Sequence, residues 1–246
     1  MEKYWVLVND VIKRADVLLL VLDARMIRET RNYEVEQRVR YYNKPLVYVL
    51  NKCDLVEGQV DTRGLSPFVI LSSTQHMGTL RLRQRIVIEA KRAGVNRRPI
   101  LVGVLGYPNV GKSSLANALK GKKSAGTSIS SGYTKGLQNI RAGSIALIDT
   151  PGVIPHGEKL KSKHVIMGSI DFAKVKDPDV AVMALMRKYP GLIESEFGVA
   201  VNYDYEQTLE EIALKKRIIK KGGKPDVERM SRAILQSWQR GELTAN

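Results

Sequence analysis

Five short segments carry the side chains best suited to chemistry, and two of them have demanding spacing. Gly106-Tyr107-Pro108-Asn109-Val110-Gly111-Lys112-Ser113 follows an apolar run and opens a helix-forming one, the context required of a phosphate-binding loop of the form G-x-x-x-x-G-K-S. Glycines at its two ends let the backbone close so that N–H groups and a helix N-terminus point at anionic oxygens. Lys112 is then placed to reach β- and γ-phosphates and the Ser113 hydroxyl to ligate Mg²⁺. Pro108, Asn109, Val110, Gly111 and Ser114 complete the loop's contacts. Asn51-Lys52-Cys53-Asp54 ends a second apolar run. The Asp54 carboxylate can accept hydrogen bonds from the N1–H and the exocyclic amine of guanine, where adenine has an unprotonated N1 and no such amine. A buried site of this kind discriminates by roughly 10⁴ or more, because the wrong base leaves polar groups unpaired. Asn51 would support the purine's other edge and tie loops together, and the Lys52 stem would cover the ring.

The other three segments fit the same ligand. Ser72-Ser73-Thr74 can present backbone N–H to the guanine O6. Asp149 of Asp149-Thr150-Pro151-Gly152 can hold Mg²⁺ through water, and the Gly152 N–H can meet the γ-phosphate and so sense hydrolysis. Thr134, within the glycine-flanked stretch Gly132-Tyr133-Thr134-Lys135-Gly136, is the candidate to close over Mg²⁺ and the γ-phosphate. Lys112, Thr134 and Gly152 are thus the candidate catalytic groups, and Ser113, Thr134 and Asp149 the candidate Mg²⁺ set.

Such residues must be held by elements that converge. Apolar runs at Val17 to Leu22, Leu46 to Leu50, Phe68 to Leu71, Ile100 to Leu105 and Ser144 to Ile148 read as buried parallel strands. Asn32 to Tyr42, Thr79 to Ala93 and Lys112 to Leu119 are long enough for crossover helices. The alternation predicts an α/β fold with a doubly wound, mostly parallel sheet. Ligands of such sheets bind beyond the carboxyl ends of the strands. Asp23, Asn51, Ser72, Gly106 and Asp149 stand at those positions. After Pro155 the strand pattern stops, and Glu206 to Lys221 and Asp226 to Arg240 read as helices. Met230, Ile234 and Trp238 form an apolar stripe on the second, with Asp226 as its cap. Residues 1–154 are expected to form the nucleotide-binding domain and 155–246 a helical domain that binds RNA.

The 246 residues, 43% hydrophobic, are enough for two cores. A single cysteine excludes an intramolecular disulfide, and no apolar stretch approaches the roughly 20 residues of a membrane span. The expectation is a soluble, cytoplasmic protein with no membrane partner. The net charge of +15 points to a polyanionic partner. Clusters lie at Arg81, Arg83, Arg85, Lys91, Arg92, Arg97 and Arg98, at Lys120, Lys122 and Lys123, and at Lys215, Lys216, Arg217, Lys220, Lys221 and Lys224.

Together these motifs resemble the five signatures of Ras-like GTPases, with the base-reading pair first and the phosphate-binding set after it. That order, with Asp23-Ala24-Arg25 after the first strand, resembles the circularly permuted GTPases of the YlqF/RbgA type, which assist assembly of the large ribosomal subunit. The likeness covers residues 17–152, and Lys220-Lys221-Gly222-Gly223-Lys224-Pro225-Asp226 is similar to the family's tail. It implies GTP and GDP as ligands, GTP hydrolysis, and ribosomal RNA or a large-subunit precursor as partner. Asn109 stands where cation-dependent relatives carry an asparagine, which implies a K⁺ site. Two features depart from the pattern: Met26 and Ile27 follow Arg25 in place of the family's proline, and no histidine precedes His76. Val153 stands where Ras-like enzymes carry the glutamine that orients water, so slow intrinsic hydrolysis is expected. A GTPase regulating RNA modification or another protein complex, and a nucleotide-binding scaffold that does not hydrolyse, remain open alternatives.

Overall fold

A computed structural model describes residues 2–120, 138–150, 161–168 and 170–243. The chain divides into two compact units, Met1–Asp54 with Gly58–Glu158, and Leu55–Glu57 with Lys159–Asn246.

The first unit is built on a six-stranded sheet of order β3-β2-β1-β4-β6-β5. Its strands are β1 (Val17–Asp23), β2 (Leu46–Asn51), β3 (Phe68–Ile70), β4 (Ile100–Leu105), β5 (Gln138–Ala142) and β6 (Ile145–Asp149). All neighbouring strands are parallel except β5, which runs antiparallel to β6. Every residue of β1 is buried, as a central strand covered on both faces must be. The chain runs outward from β1 to β2 and β3, then returns past β1 to β4, so the direction of winding reverses between β1 and β4. Right-handed crossovers in opposite directions place their helices on opposite faces. Accordingly α3 (Tyr33–Tyr41) lies with the N-terminal helix α1 (Glu2–Arg14), and α4 (Thr79–Arg92) lies with α5 (Lys112–Lys120). A single turn, α2 (Ile27–Thr30), follows β1. Helix α1 packs so closely on β4 that a Cβ at Gly103 would come within 2.7 Å of Val11 and Leu18.

The five expected strands and three crossover helices are present. Asn32 caps α3 by accepting from the Val35 N–H, rather than lying inside the helix. The edge strand β5, with the sequence Gln-Asn-Ile-Arg-Ala, and α1, whose buried Trp5, Val8, Val11 and Ile12 recur at helical spacing, were not among the expected elements.

The second unit is helical: α6 (Lys161–Ile166), α7 (Pro178–Lys188), α8 (Leu192–Phe197), α9 (Tyr205–Lys215) and α10 (Val227–Arg240). Asp226 caps α10, and the Met230, Ile234 and Trp238 stripe is its core. The Trp238 indole N–H donates to the Ile166 carbonyl at 2.7 Å. The helix expected to run to Lys221 ends at Lys215. Arg217 enters the left-handed region at φ 55°, and the Ile218 N–H turns back to the Ala213 carbonyl. The chain then forms a small hairpin, with an isolated bridge between Ile219 and Pro225 and Lys220, Lys221 and Lys224 around its tip. No helix among the described residues is long and apolar enough to cross a membrane.

Candidate functional site

Parallel pairing carries the motifs to one edge of the sheet. Asp23 and Asn51 are register partners at the carboxyl ends of β1 and β2, and Val104 and Asp149 at those of β4 and β6. The phosphate loop leaves β4 beside them, at the reversal point where such sheets bind nucleotides.

The loop's shape depends on backbone freedom at two positions. Asn109 lies at φ 60° and Gly111 at φ 95°; asparagine tolerates this region, and glycine has no side chain to strain it. Any Cβ at Gly111 would overlap the Asn51 side chain. That side chain joins three segments. Its Nδ2 donates to the Val110 carbonyl at 2.9 Å, and its Oδ1 accepts from the Ser73 N–H at 3.1 Å and the Ser73 hydroxyl at 2.8 Å. The turn that follows Asn51, the phosphate loop and the Ser72-Ser73-Thr74 turn are therefore held by one buried amide. Lys112 is buried, with its ammonium 3.0 Å from the Gly106 carbonyl and 2.7 Å from that of Tyr107. Ser113 and Ser114 lie in the first turn of α5. Pro108 is half-buried and Tyr107 fully buried beneath the loop.

Asp54 is the residue expected to face the base. Its Oδ1 is buried and accepts no hydrogen bond among the described residues. A buried, unpartnered carboxylate oxygen is costly, because desolvation is not offset. A ligand that supplies N–H groups, as guanine does, removes that cost. A guanine nucleotide therefore fits the residues present on both counts, orphaned acceptor and phosphate cradle. Cys53 contributes backbone only: its N–H donates to the Leu71 carbonyl at 3.3 Å, and burial pushes its thiol pKa up.

Of the three residues expected to offer N–H to the guanine O6, two have theirs engaged. The Ser72 N–H donates to the Met77 carbonyl and the Ser73 N–H to Asn51. Thr74 is exposed and is the member of the trio whose N–H has no such bond; its Oγ1 lies 3.1 Å from the Ser72 hydroxyl. Asp149 is described through its backbone alone, and the Thr150 hydroxyl donates to the Val104 carbonyl at 2.7 Å. Thr134 and Gly152, with Val153 and His156, lie outside the described residues.

The sequence places Asp23 at the carboxyl end of a strand without giving it a contact, yet it organises the turn that leads to Asp54. Fully buried at the end of β1, its carboxylate accepts from Lys52 Nζ at 2.8 Å and from Arg25 Nη2 at 2.9 Å and Nε at 3.0 Å. Burial alone would raise the Asp23 pKa; Lys52 and Arg25 outweigh it and hold the carboxyl at about 2. Burial pulls the Lys52 ammonium down while Asp23 opposes it. Lys52 sits at φ 64°, a strained conformation for a non-glycine residue, so this pair holds the turn that presents Asp54. The available signal was three charged residues at the ends of adjacent strands, which a buried edge can keep only by pairing them.

The charge clusters shrink on inspection. Arg83 donates to the carbonyls of Ala142 and Leu119, Arg85 and Arg92 pair with Glu89, and Arg97 pairs with Asp16 at 2.8 Å. Helix α4 spans about 21 Å at 1.5 Å per residue, so Arg81 at its start and Arg98 beyond its end stand at opposite poles of the unit. In the second unit Lys215 donates to the Gly198 carbonyl and Lys216 covers the Phe197 ring, while Lys220, Lys221 and Lys224 remain exposed at the hairpin.

Residues 101–220 match the family model described as 50S ribosome-binding GTPase. The chain is 37% identical over 246 residues to an uncharacterised GTP-binding protein of Methanocaldococcus jannaschii, covering 96% of this chain and 65% of that one. It is 31% identical over 255 residues to nucleolar GTP-binding protein 2 of Saccharomyces cerevisiae, covering 98% of this chain and 52% of that one. The chain thus spans between half and two thirds of the length of these relatives. The solved structure of GDP-bound YlqF of T. maritima superposes with a TM-score of 0.68 at 21% identity, covering 96% of this chain and 95% of that one. Its GNP-bound form gives 0.67 at 20% identity, covering 99% and 96%. These structures share the fold.

The Asp23 cluster generates a prediction. Asp23→Asn leaves Lys52 and Arg25 without their counter-charge and should destabilise the protein by about 3 kcal/mol, as removing one partner of a buried pair does. It should also weaken guanine-nucleotide binding. Because the folded-state pKa is depressed, this contribution is present above the ordinary value of 3.8 and is lost as pH falls through about 2. Urea unfolding followed through that window should show a decline in the wild type that the variant lacks. Equal slopes and equal midpoints would refute it.

Proposed function

We propose that this chain, which belongs to the circularly permuted P-loop GTPases of the YlqF type, binds GTP at the carboxyl edge of its sheet, hydrolyses it to GDP and phosphate, and acts as a switch in large ribosomal subunit assembly. The buried, unpartnered Asp54 Oδ1 carries the nucleotide reading, since it stands in the unit that holds the phosphate loop and is tied to it by Asn51. Asp54 reads the guanine N1–H and amine, the Thr74 N–H meets O6, and Asn51 holds both turns to the loop. Lys112 exchanges two carbonyl acceptors for phosphate oxygens, so little is lost in the exchange. Ser113 is the Mg²⁺ ligand, with Thr134 and Asp149 completing the set and Gly152 meeting the γ-phosphate. The metal would neutralise charge on the β- and γ-oxygens. The base-reading elements precede the phosphate loop in the chain, so the segment after Asp149 leads on to the second unit. A γ-phosphate-dependent shift at Gly152 would be felt there.

The ribosomal part rests on the description of the matching family model, on the nucleolar relatives and on the net charge of +15. The exposed Lys220, Lys221 and Lys224 at the hairpin are the groups offered to RNA phosphates by the second unit.

Three measurements test this reading. Asp54→Asn should weaken GTP binding by two orders of magnitude or more and favour xanthosine triphosphate, whose 2-oxo group needs a donor; unchanged GTP affinity would remove the tetrapeptide from the base site. Asn109, held at φ 60° in the loop, is proposed to place a K⁺ against charge developing between the β- and γ-phosphates, in the absence of a glutamine at Val153. Turnover should then be faster in K⁺ than in Na⁺ at matched ionic strength, and equal rates would reject the site. Co-sedimentation with large ribosomal subunits should be stronger with a GTP analogue than with GDP. Lys220→Glu with Lys221→Glu should weaken it and flatten its salt dependence, by ~0.7–0.9 log units per lost phosphate contact. Indistinguishable affinity in the two nucleotide states would reject the switch.

A further inference from the structure

At the sheet edge opposite the nucleotide site, three segments that enter β1, β2 and β4 meet. The Leu18 N–H donates to the Pro45 carbonyl and the Asp16 N–H to that of Leu101. Lys44 Nζ donates to the carbonyls of Lys13 and Ala15 at 2.9 and 2.8 Å. Residues 10–16, 38–45 and 89–99 carry nine Lys or Arg against three Asp or Glu. Those three carboxylates are already engaged: Asp10 by Arg14, Asp16 by Arg97, and Glu89 by Arg85 and Arg92. Lys13, Lys44 and Arg98 have no carboxylate within ion-pair distance among the described residues.

An aromatic platform rises from this basic surface. Tyr41, at the end of α3, is 83% exposed. Its ring stands at 86° to that of Tyr42 with centroids 5.2 Å apart, and Lys13 Nζ lies 5.6 Å from the Tyr42 centroid. The edge-to-face contact orients the Tyr41 ring and leaves it open to solvent. Helix dipoles account for Lys13, Arg14, Arg40, Lys91 and Arg92, which lie in last turns. They account neither for the exposed ring nor for Lys44, Arg97 and Arg98, which lie beyond the helices.

We infer that this pole binds single-stranded RNA, with one unpaired base stacked on Tyr41 and the flanking phosphates on Lys13 and Arg98. Flat, sequence-tolerant stacking on an aromatic ring beside a cationic track is how unpaired nucleotides are held. A duplex keeps its bases stacked inside and can use only the cations. The inference deepens the ribosomal-RNA reading and rests on it for the biological source of the strand. The surface itself lies at the far end of the strands from the phosphate loop, so its affinity is expected to be the same in the GTP and GDP states.

The test uses the full chain, a dye-labelled single-stranded oligoribonucleotide and the duplex of the same sequence, read by fluorescence polarisation. Tyr41→Ala should lower single-strand affinity about ten-fold and leave duplex affinity unchanged. Tyr41→Phe should behave as wild type, because the ring face and not the hydroxyl is used. Lys13→Glu with Arg98→Glu should weaken both RNAs and flatten the salt slope by up to ~1.4. GDP affinity should be unchanged in all variants, which reports that the fold is intact. Retention of single-strand affinity by Tyr41→Ala, equal losses for both RNAs, or equally tight binding to anionic phospholipid vesicles that Tyr41→Ala abolishes, would overturn the inference. If Tyr41→Ala fails in this way while nucleotide-dependent co-sedimentation persists, the surface is wrong and the switch stands; the opposite pair of results would keep the surface and remove the switch.

Discussion

A nucleotide site assembled from loops at the edge of a sheet depends on whatever holds those loops to one another, and here that is the side chain of Asn51. One buried amide satisfies the Val110 carbonyl on the phosphate loop and both the N–H and the hydroxyl of Ser73. Its partners are 59 and 22 residues away along the chain, so no local structure could substitute. The absence of a Cβ at Gly111 is part of the same contact, since the Asn51 amide occupies the space such an atom would need. An asparagine suits this place because its two ends present a donor and an acceptor at once.

Permutation makes such lateral ties more consequential. The turns proposed to read the base follow β2 and β3, while the phosphate loop follows β4. The covalent path between them runs through the whole of α4 on one face of the sheet. Strand pairing to the shared neighbour β1 sets the relative height of the loops, and side chains at the carboxyl edge set their spacing. Asp23 contributes from β1 itself. Its carboxylate, driven to about pKa 2 by two cations against the penalty of burial, holds Lys52 in a left-handed conformation and so orients the turn that ends in Asp54. Asn51 and Asp23 thus act in sequence: one ties the turn to the phosphate loop and the other holds its shape.

Electrostatics divide along the same lines. A net charge of +15 suggests a broadly basic surface, but a good share of the arginines on the first unit serve internal ends. Arg83 closes backbone carbonyls, Arg25 neutralises Asp23, Arg31 binds Glu36, and Arg97 binds Asp16. Among the described residues, exposed cations without a carboxylate partner include Lys221 and Lys224 at the hairpin of the second unit and Lys13 and Arg98 at the pole where Tyr41 stands. The positions of surplus charge, rather than its total, define where a polyanion can be met.

The candidate chemistry is legible in the sequence because it depends on residue type at short, fixed spacing. Gly106 to Ser113 and Asn51 to Asp54 each act through neighbours in the chain, so their identity survives without knowledge of the fold. The buried parallel strands were legible for a related reason: strands covered on both faces are continuous apolar runs. Strand β5 pairs at an edge and carries polar residues, so it does not announce itself locally, whereas α1 carries Trp5, Val8, Val11 and Ile12 at helical spacing. The end of α9 at Lys215 was likewise hidden, since a run of lysines and isoleucines is compatible with a helix, while the chain turns at Arg217 and pairs Ile219 with Pro225. Tertiary structure alone decided which polar groups were left over. It consumed the N–H groups of Ser72 and Ser73, left Asp54 Oδ1 buried without a partner, and spent Asp23 on Lys52. Hydrogen bonds and ion pairs between residues tens of positions apart have no period and no local signature, and whether a donor or acceptor is free depends on every neighbour that folding brings to it.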